Sequence, residues 1–569
     1  MDNFKVAETF KNIADILEIK GDNRFRIRAY QRAADTIDGM AEDFETLVNQ
    51  DRLTEIPGIG RDLSEKIKEI VNTGKLKFYE DLKKTIPEGL LELLKIPSVG
   101  PKTAKLLYGE LKIKSIQDLE DAIAKDKLKG IFGIKEKTVE NILKGIQLLK
   151  RGRERMSLAA ALQVSAEFIG ALKKFKEVKK IASAGSLRRR KETVRDIDIL
   201  VVSEKPAKLM AVFTGLPKVK EILAKGETKS SVRTVDDIQI DCRVVEDKSF
   251  GAALLYFTGS KNFNIHIRMM AQKKGLKINE YGVFRGKKFL AGKTEEEIFK
   301  LFGMSYIEPE LREDTGELEL ALRGRLPELI NAEDIKGDLH VHSKWSDGGN
   351  TIEEMAKAAQ QKGYSYIAVT DHSQSLKVAR GLSVPDLKLK KKEIDNINKK
   401  LKDFRVLYGT EVDIDSGGNI DYKDEVLREF DLVVAAIHMG FKQSREKLTE
   451  RITRACENKY VHIIAHPTGR LWGTRDAYEL DFNRVLKAAG ETNTCLEINS
   501  FPQRLDLNGQ NCRYAKEKGV KLVINTDAHT AEHLANMQLG IYVARRGWLT
   551  SSDVINTLEC DELLKTIKG

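Results

Sequence analysis

The sequence predicts a multidomain fold: an all-α front, an α+β middle and a C-terminal β/α barrel. Three observations carry this. Over residues 1–150 apolar positions recur at three and four about repeated glycine turns, as in Phe10, Ile13, Ala14 and Leu17. From 150 to 313, strand-like runs such as Asp196-Ile-Asp-Ile-Leu-Val-Val202 alternate with helical ones. From 334 onward, short β runs (366–370, 406–408, 432–437, 462–465, 495–499, 521–525) alternate with helices to the end. A barrel of that kind carries its chemistry at the C-terminal ends of its strands. With 569 residues the chain exceeds a single core, since domains run to about 50–250 residues.

Composition narrows the function class. A hydrophobic content of 41% with 11 prolines is globular rather than disordered. The net charge of +11 is unevenly placed: residues 1–333 carry +10 of it, so a polyanion is expected on the front part. Five cysteines, without a C-x-x-C pair, exclude a disulfide framework and point to a reducing, cytoplasmic setting. The opening Met1-Asp2-Asn3-Phe4-Lys5 lacks the pattern of a signal peptide. The sequence has no apolar run of the length a bilayer requires, so no membrane partner is expected. Eight of the nine histidines follow residue 339, which concentrates chemistry there.

In the helical front one pattern occurs three times: Leu53-Thr-Glu-Ile-Pro-Gly58-Ile-Gly60, Leu94-Lys-Ile-Pro-Ser-Val-Gly100 and Leu128-Lys-Gly-Ile-Phe-Gly133-Ile, each followed by a helix. A glycine turn feeding a helix aims backbone N–H groups outward, where they can hold a phosphate without reading base sequence. Gly58, Gly60, Gly100 and Gly133 are the expected DNA-contacting positions. Ordinary helix-hairpin packing is the bland alternative, and three copies in a basic segment weigh against it. The repeats resemble helix-hairpin-helix DNA-binding motifs, which implies a monovalent cation at the turns. Lys66, on the helix after the first turn, reads either as a solvated or phosphate-contacting lysine or as a Schiff-base nucleophile; spacing leaves both open.

In the middle region, Gly185-Ser186 is followed by Arg189 and by Asp196-Ile-Asp198. Alternation on a strand puts both carboxylates on one face, and Asp241 ends a second strand run. Three such acids can hold two Mg²⁺ for in-line phosphoryl transfer. Gly185 and Ser186 offer a close backbone and a hydroxyl to a triphosphate, and Arg189 adds charge-assisted contacts.

Residues 1–313 resemble the family X DNA polymerases of the polymerase beta type, most specifically through Tyr256-Phe-Thr-Gly-Ser-Lys-Asn-Phe-Asn264, Arg268 and Asn279-Glu-Tyr281. The resemblance implies that Asp196, Asp198 and Asp241 are catalytic metal ligands and that Gly185, Ser186 and Arg189 hold the incoming dNTP. Tyr256, Phe257 and Gly259 would form a ribose-excluding wall. Asn264 would contact the nascent pair, Arg268 the template and Lys229 the primer side. Lys66 and Tyr30 fall in the family's lyase pocket, although Arg61 and Asp62 depart from its basic surroundings. Arg190 and Arg195 stand where vertebrate members have glycine, and Lys261 where they have an acid.

The last region opens with Asp338-Leu-His340-Val-His342 and continues with Asp347, His372, Glu411, His438, His466, Asp527 and His529, each near the end of a β run. Imidazoles with carboxylates favour Mn²⁺, Zn²⁺ or Fe²⁺ over Mg²⁺ alone, and a multinuclear site can activate water toward a phosphodiester. These nine residues resemble the ligand set of the PHP (polymerase and histidinol phosphatase) domain, a seven-stranded, distorted TIM-like barrel holding up to three ions. Arg470 reads as a phosphate contact, and His462 and His533 as structural.

The expected organisation is a helical DNA-binding domain over 1–82 and a second helical, fingers-type domain over 83–149. A nucleotidyltransferase palm over 150–246, a thumb-type nucleotide-selection domain over 247–313 and a linker over 314–333 follow, with the PHP phosphoesterase domain over 334–569. The combined resemblance implies a monomeric enzyme filling short gaps in gapped or primer-template DNA during base excision repair. It also implies 3′–5′ exonuclease action, with abasic-site endonuclease or 3′-phosphatase activity as extensions. A DNA-binding scaffold with inactive sites, or a barrel acting as a small-molecule phosphatase, are the alternatives.

Overall fold

Each element follows from its periodicity. The computed structural model describes residues 3–38, 48, 52–56, 58–87, 89–94, 96, 99–129, 131, 133–134, 138–140, 142–143, 146, 155–472, 475 and 477–568. The chain divides into two compact units, 1–156 and 157–569.

In the first unit the helices Asn3–Lys20 and Arg24–Asp38 bury Phe10, Ile13, Ala14 and Leu17 against Tyr30 and Ile37. The helices Arg61–Thr73 and Pro101–Leu111 start directly after Gly60 and Gly100. The three repeats share one turn bond: Ile59, Val99 and Ile134 each donate a backbone N–H to Ile56, Ile96 and Ile131, at 3.0 Å in every case. Gly58 and Gly133 have φ of +87° and +93°, where an L side chain is strained. Gly60 and Gly100 are N-caps without a side-chain cap. Of the expected repeats, 57, 95, 97, 98, 130, 132, 135–137 and 141 lie outside the described residues.

The second unit begins with a five-stranded sheet. Its strands are β1 (Val178–Ser183), β2 (Asp196–Ser203), β3 (Val219–Lys225), β4 (Lys229–Thr234) and β5 (Gln239–Val244), in the order β1-β2-β5-β4-β3. β2 and β5 run parallel, with Asp198 opposite Asp241. The helices Phe250–Thr258, Lys261–Lys273 and Glu295–Phe302 pack around a small sheet of β6 (Lys277–Asn279), β7 (Gly282–Arg285) and β8 (Lys288–Ala291). Residues 314–333, expected as a charged helical linker, are α-helical only at Glu317–Leu322, with a 3-10 turn starting at Ala332. Leu318, Ala321 and Leu329 are buried in the same cluster as Phe263 and Phe299. Burial of those three apolar residues makes the segment part of the packing rather than a free spacer.

The barrel strands are β9 (Gly337–Val341), β10 (Tyr366–Val369), β11 (Arg405–Asp413), β12 (Leu432–Ala436), β13 (Ile463–Ile464), β14 (Cys495–Asn499) and β15 (Leu522–Asn525), all parallel and in sequence order. A parallel bridge between Val341 and Ala528 brings the first strand to the last and nearly closes the barrel. Among the described residues no helix is long and apolar enough to cross a membrane. All five cysteines are free.

Candidate functional sites in the palm and the barrel

In the five-stranded sheet, expected as the palm, strand alternation places Asp196 and Asp198 on one face of β2, with Asp241 beside Asp198 on β5. Burial, and then the charges of Asp196 and Asp241, push the Asp198 carboxyl up to about 7. Crowded acids repel unless cations neutralise them, so this donor set fits divalent ions. Gly185 has φ +63°, and a side chain there would run into the Asp198 carboxylate. The Ala184 N–H donates to Asp198 O at 2.8 Å, which locks the glycine turn onto the strand that carries Asp196 and Asp198. Ser186 lies in the short helix Gly185–Arg188.

Arg189 donates through Nη1 to the Thr258 carbonyl and through Nε to Glu313 at 3.1 Å. The Tyr256 and Phe257 rings meet edge to face at 5.1 Å. Gly259 follows at φ +69°, and a Cβ there would lie 3.2 Å from Arg189 Nη1. Asn264 donates to the Tyr256 carbonyl at 2.6 Å, and Arg268 Nε donates to Asn264 O at 3.0 Å. The structure therefore brings the acids, Gly185, Arg189 and the Tyr256–Gly259 segment together. Lys229 is opposite Arg243 in the sheet register. Arg243, absent from the sequence reading, holds its guanidinium 4.5 Å from the Phe257 ring, and its charge with that of Lys229 opposes the rise at Asp198. Its position two residues after Asp241 on β5, hence on the same face, was the available signal.

In the helical unit Lys66 pairs with Asp62 at 2.5 Å and lies 5.5 Å from the Phe78 ring, on which Tyr30 stacks at 6.2 Å. Burial raises the Tyr30 phenol.

The barrel gathers the nine expected ligands. Ligand atoms of His342, Asp347, His372 and His529 lie within 4.8 Å of one another, as do those of His340, His342 and Asp527, and those of His372, Glu411 and His438. His466 Nε2 stands 3.2 Å from Glu411 Oε1, which also lies 3.3 Å from His438 Nε2. Among the described residues His340 Nε2, both His342 nitrogens, His372 Nδ1 and Glu411 Oε2 are buried without a well-oriented hydrogen bond, although His372 Nδ1 lies 2.8 Å from Glu411 Oε2 and His342 Nε2 lies 3.2 Å from Asp527 Oδ1. Orphaned buried donors and acceptors are costly, and metal ions would satisfy them, so the residues fit a multinuclear centre. Burial, then His372 and His529, push His342 down to about 4, which keeps the imidazole neutral as a ligand must be. His466 and Asp527 adopt φ of +30° and +54°, strained backbone of the sort that aims side chains at functional sites.

Two residues that the sequence reading missed, Glu497 and Asp413, and the backbone of Asp527 orient the imidazoles. Glu497 takes His340 Nδ1 at 2.7 Å, Asp413 takes His438 Nδ1 at 2.6 Å, and the Asp527 carbonyl takes His529 Nδ1 at 2.9 Å. Such outer contacts fix which nitrogen faces a metal. Asp413 is two residues beyond Glu411 on β11, so the alternation contained that signal. Arg470, expected at a phosphate, instead gives its donors to Glu192 at 3.3 Å and to the Arg504 and Leu505 carbonyls. Arg504 reaches the centre: Nε is 3.5 Å from Asp527 Oδ2, and Nη1 is buried without a partner. His462 accepts from the Val433 N–H at 3.0 Å between strands, and His533 Nδ1 faces the His529 N–H at 3.4 Å.

Comparison with known proteins matches four segments of the chain to family models. Residues 1–76 match a helix-hairpin-helix domain, 90–147 a SAM-like helix-hairpin-helix tandem, 253–313 the DNA polymerase beta thumb and 338–501 the PHP domain. A DNA polymerase/3′-5′ exonuclease PolX of Bacillus subtilis (strain 168) is 41% identical over 97% of this chain and 96% of its own length. DNA polymerase lambda of Rattus norvegicus is 25% identical over 55% of this chain and 56% of its own. A probable phosphatase of Thermoanaerobacter sp. (strain X514) is 32% identical over 39% of this chain and 89% of its own. Full-length similarity at that level, with helix-hairpin-helix, thumb and PHP segments in one order, means that the chain belongs to the family X DNA polymerases that carry a C-terminal PHP domain.

Proposed function

We propose that the palm extends a DNA primer across short gaps while the barrel trims 3′ ends, as in base excision repair. The observation that carries the reading is two full sets of converging ligands on two different sheets of one chain. Asp196, Asp198 and Asp241 would hold two Mg²⁺. The chemistry such ions supply is activation of a 3′-hydroxyl and neutralisation of the leaving pyrophosphate. The chain's own contribution is positional. Gly185 admits the triphosphate close to the acids, and Ser186 and Arg189 grip it. Tyr256, Phe257 and Gly259 stand under the sugar, where a ribose hydroxyl would collide. Asn264 and Arg268 face the new pair and template, and Lys229 the primer.

In the barrel the nine ligands would hold up to three Mn²⁺ or Zn²⁺, whose chemistry is water activation and charge neutralisation at a phosphodiester. Arg504 offers its unpaired nitrogen to the scissile phosphate, a role the geometry supports for it rather than for Arg470. DNA is held by the glycine turns of the helical unit, with a monovalent cation at the turns, and the enzyme acts as a cytoplasmic monomer. The expected boundaries at 82, 149, 246, 313 and 333 are proposed as its functional divisions.

The test is extension of a one-nucleotide-gapped duplex with Mg²⁺, and trimming of a 3′-recessed duplex with Mn²⁺. A barrel serving as a small-molecule phosphatase is the second reading, favoured by the probable phosphatase that matches 39% of this chain. Turnover of histidinol phosphate exceeding that of 3′-recessed DNA would establish it. Absence of extension on the gapped duplex would leave a DNA-binding scaffold.

A further inference from the structure

The loop between the triphosphate-gripping Arg189 and the metal-ligand strand is held by the barrel. Arg546, at the end of the barrel helix Met537–Arg546, donates through Nη1 to the backbone carbonyl of Arg189 at 2.8 Å and to Glu313 at 3.1 Å. The same Glu313 oxygen accepts from Arg189 Nε at 3.1 Å. One carboxylate thus bridges a barrel arginine and the palm arginine. Burial would raise Glu313, but Arg189, Arg546 and Lys191 hold it at about 2, a charged bridge at neutral pH.

The next residues of the loop are held in turn. Arg190 stacks on Tyr542 of the same barrel helix at 4.3 Å. Its backbone has φ +56°, where glycine would sit without strain. The stack gives a physical reason for an arginine in that place. Glu192 accepts from the Gly509 N–H at 3.1 Å and from Arg470 at 3.3 Å. Every contact named here is within the second unit, and four consecutive residues, 189–192, are held from the barrel side or through Glu313.

We infer that Arg546, aided by Tyr542 and Arg470, is a positioning residue for nucleotidyl transfer: it sets Arg189 through Glu313 and through the Arg189 carbonyl, so that the phosphoesterase barrel forms part of the polymerase's nucleotide pocket. The inference rests on the reading of Arg189 as a triphosphate contact. It assigns the barrel a task in synthesis apart from its own chemistry. A contact that only fastens two domains together would change stability and leave nucleotide binding alone.

The test is steady-state single-nucleotide gap filling by the full chain with Mg²⁺, comparing Arg189→Ala, Arg546→Ala, their double variant, Arg546→Lys and Tyr542→Ala. Arg546→Ala should raise KM for dNTP about tenfold, the scale of one lost charge-assisted hydrogen bond, with kcat within about twofold. The double variant should be no worse than Arg189→Ala alone, because one device is broken twice. Arg546→Lys should recover part of the loss, and Tyr542→Ala should show a smaller rise. The Mn²⁺-dependent 3′ trimming of Arg546→Ala and Tyr542→Ala should match the parent, which also reports correct folding. Should Arg546→Ala fail to fold, Arg546→Lys and Tyr542→Ala read the same dependence. If Arg189→Ala raises KM while the barrel variants leave it unchanged, or if the effects are simply additive, the positioning role is wrong and the triphosphate reading stands. If Arg189→Ala itself leaves KM unchanged, the triphosphate reading fails and the inference with it.

Discussion

Glu295→Gln removes one charge from a buried network and should weaken the second unit by about 3 kcal/mol. Glu295 is 4% exposed, and Arg312, fully buried, donates to it at 2.5 and 3.2 Å. Arg188 donates to both oxygens at 2.8 and 2.6 Å, and the Tyr306 hydroxyl at 3.1 Å. Burial would raise the carboxyl, yet Arg312 and Arg188 hold it at about 2. Compared with an ordinary value of 4.5, that corresponds to about 3 kcal/mol favouring the charged form. Breaking a buried ion pair from one side costs about 3–5 kcal/mol, so two routes agree. A depressed carboxyl stabilises above its unfolded value and loses that contribution as pH falls toward 2. The gap between parent and variant is therefore full at pH 7 and narrower by about 1 kcal/mol at pH 4. Urea titration by tryptophan fluorescence reads this unit alone, because the three tryptophans are Trp345, Trp472 and Trp548, and Trp548 packs in the same apolar cluster as Phe299. Arg188 also neighbours Arg189, so KM for dNTP should rise. A loss under about 1 kcal/mol at pH 7 would refute the reasoning, as would a gap that does not narrow in acid.

Gly185→Ala forces a side chain toward the Asp198 carboxylate on a left-handed backbone, and gap filling should fall by about 100-fold or more while 3′ trimming is unchanged; near-normal synthesis would show that the close approach is not needed. Asp413→Asn leaves His438 Nδ1 without its carboxylate, so the Mn²⁺ concentration giving half-maximal trimming should rise about 10–100-fold; an unchanged titration would remove Asp413 from the account. Lys66 is paired with Asp62 at 2.5 Å, and imine formation requires a free amine. Borohydride should therefore trap little adduct with an incised abasic site, and more with Asp62→Ala; strong trapping by the parent would mean that the pair opens readily.

The convergence of the nine barrel residues could be read from sequence because period-2 strands deliver alternate side chains to one face, and each of them stood near a β run. Asp196, Asp198 and Asp241 were readable for the same reason. Reading failed where contacts cross the chain without local period. Arg470 meets Glu192 and Arg546 meets Glu313 across hundreds of residues, and no spacing announces such pairs. The oxygens around His340 and His438 belong to ordinary strand carboxylates, Glu497 and Asp413, whose role needs the ring's second nitrogen to be placed. Arg470 and Arg504 show the hazard directly. Both follow barrel strands, but only the fold assigns one to the palm and leaves the other with an unpaired nitrogen near Asp527.

The division of labour between the two ligand sets is tested most directly by Asp196→Ala and His342→Ala, each assayed for gap filling and for 3′ trimming on the same DNA. Asp196→Ala should abolish synthesis and keep trimming, and His342→Ala should do the reverse. Loss of both activities by either variant in folded protein would contradict the account.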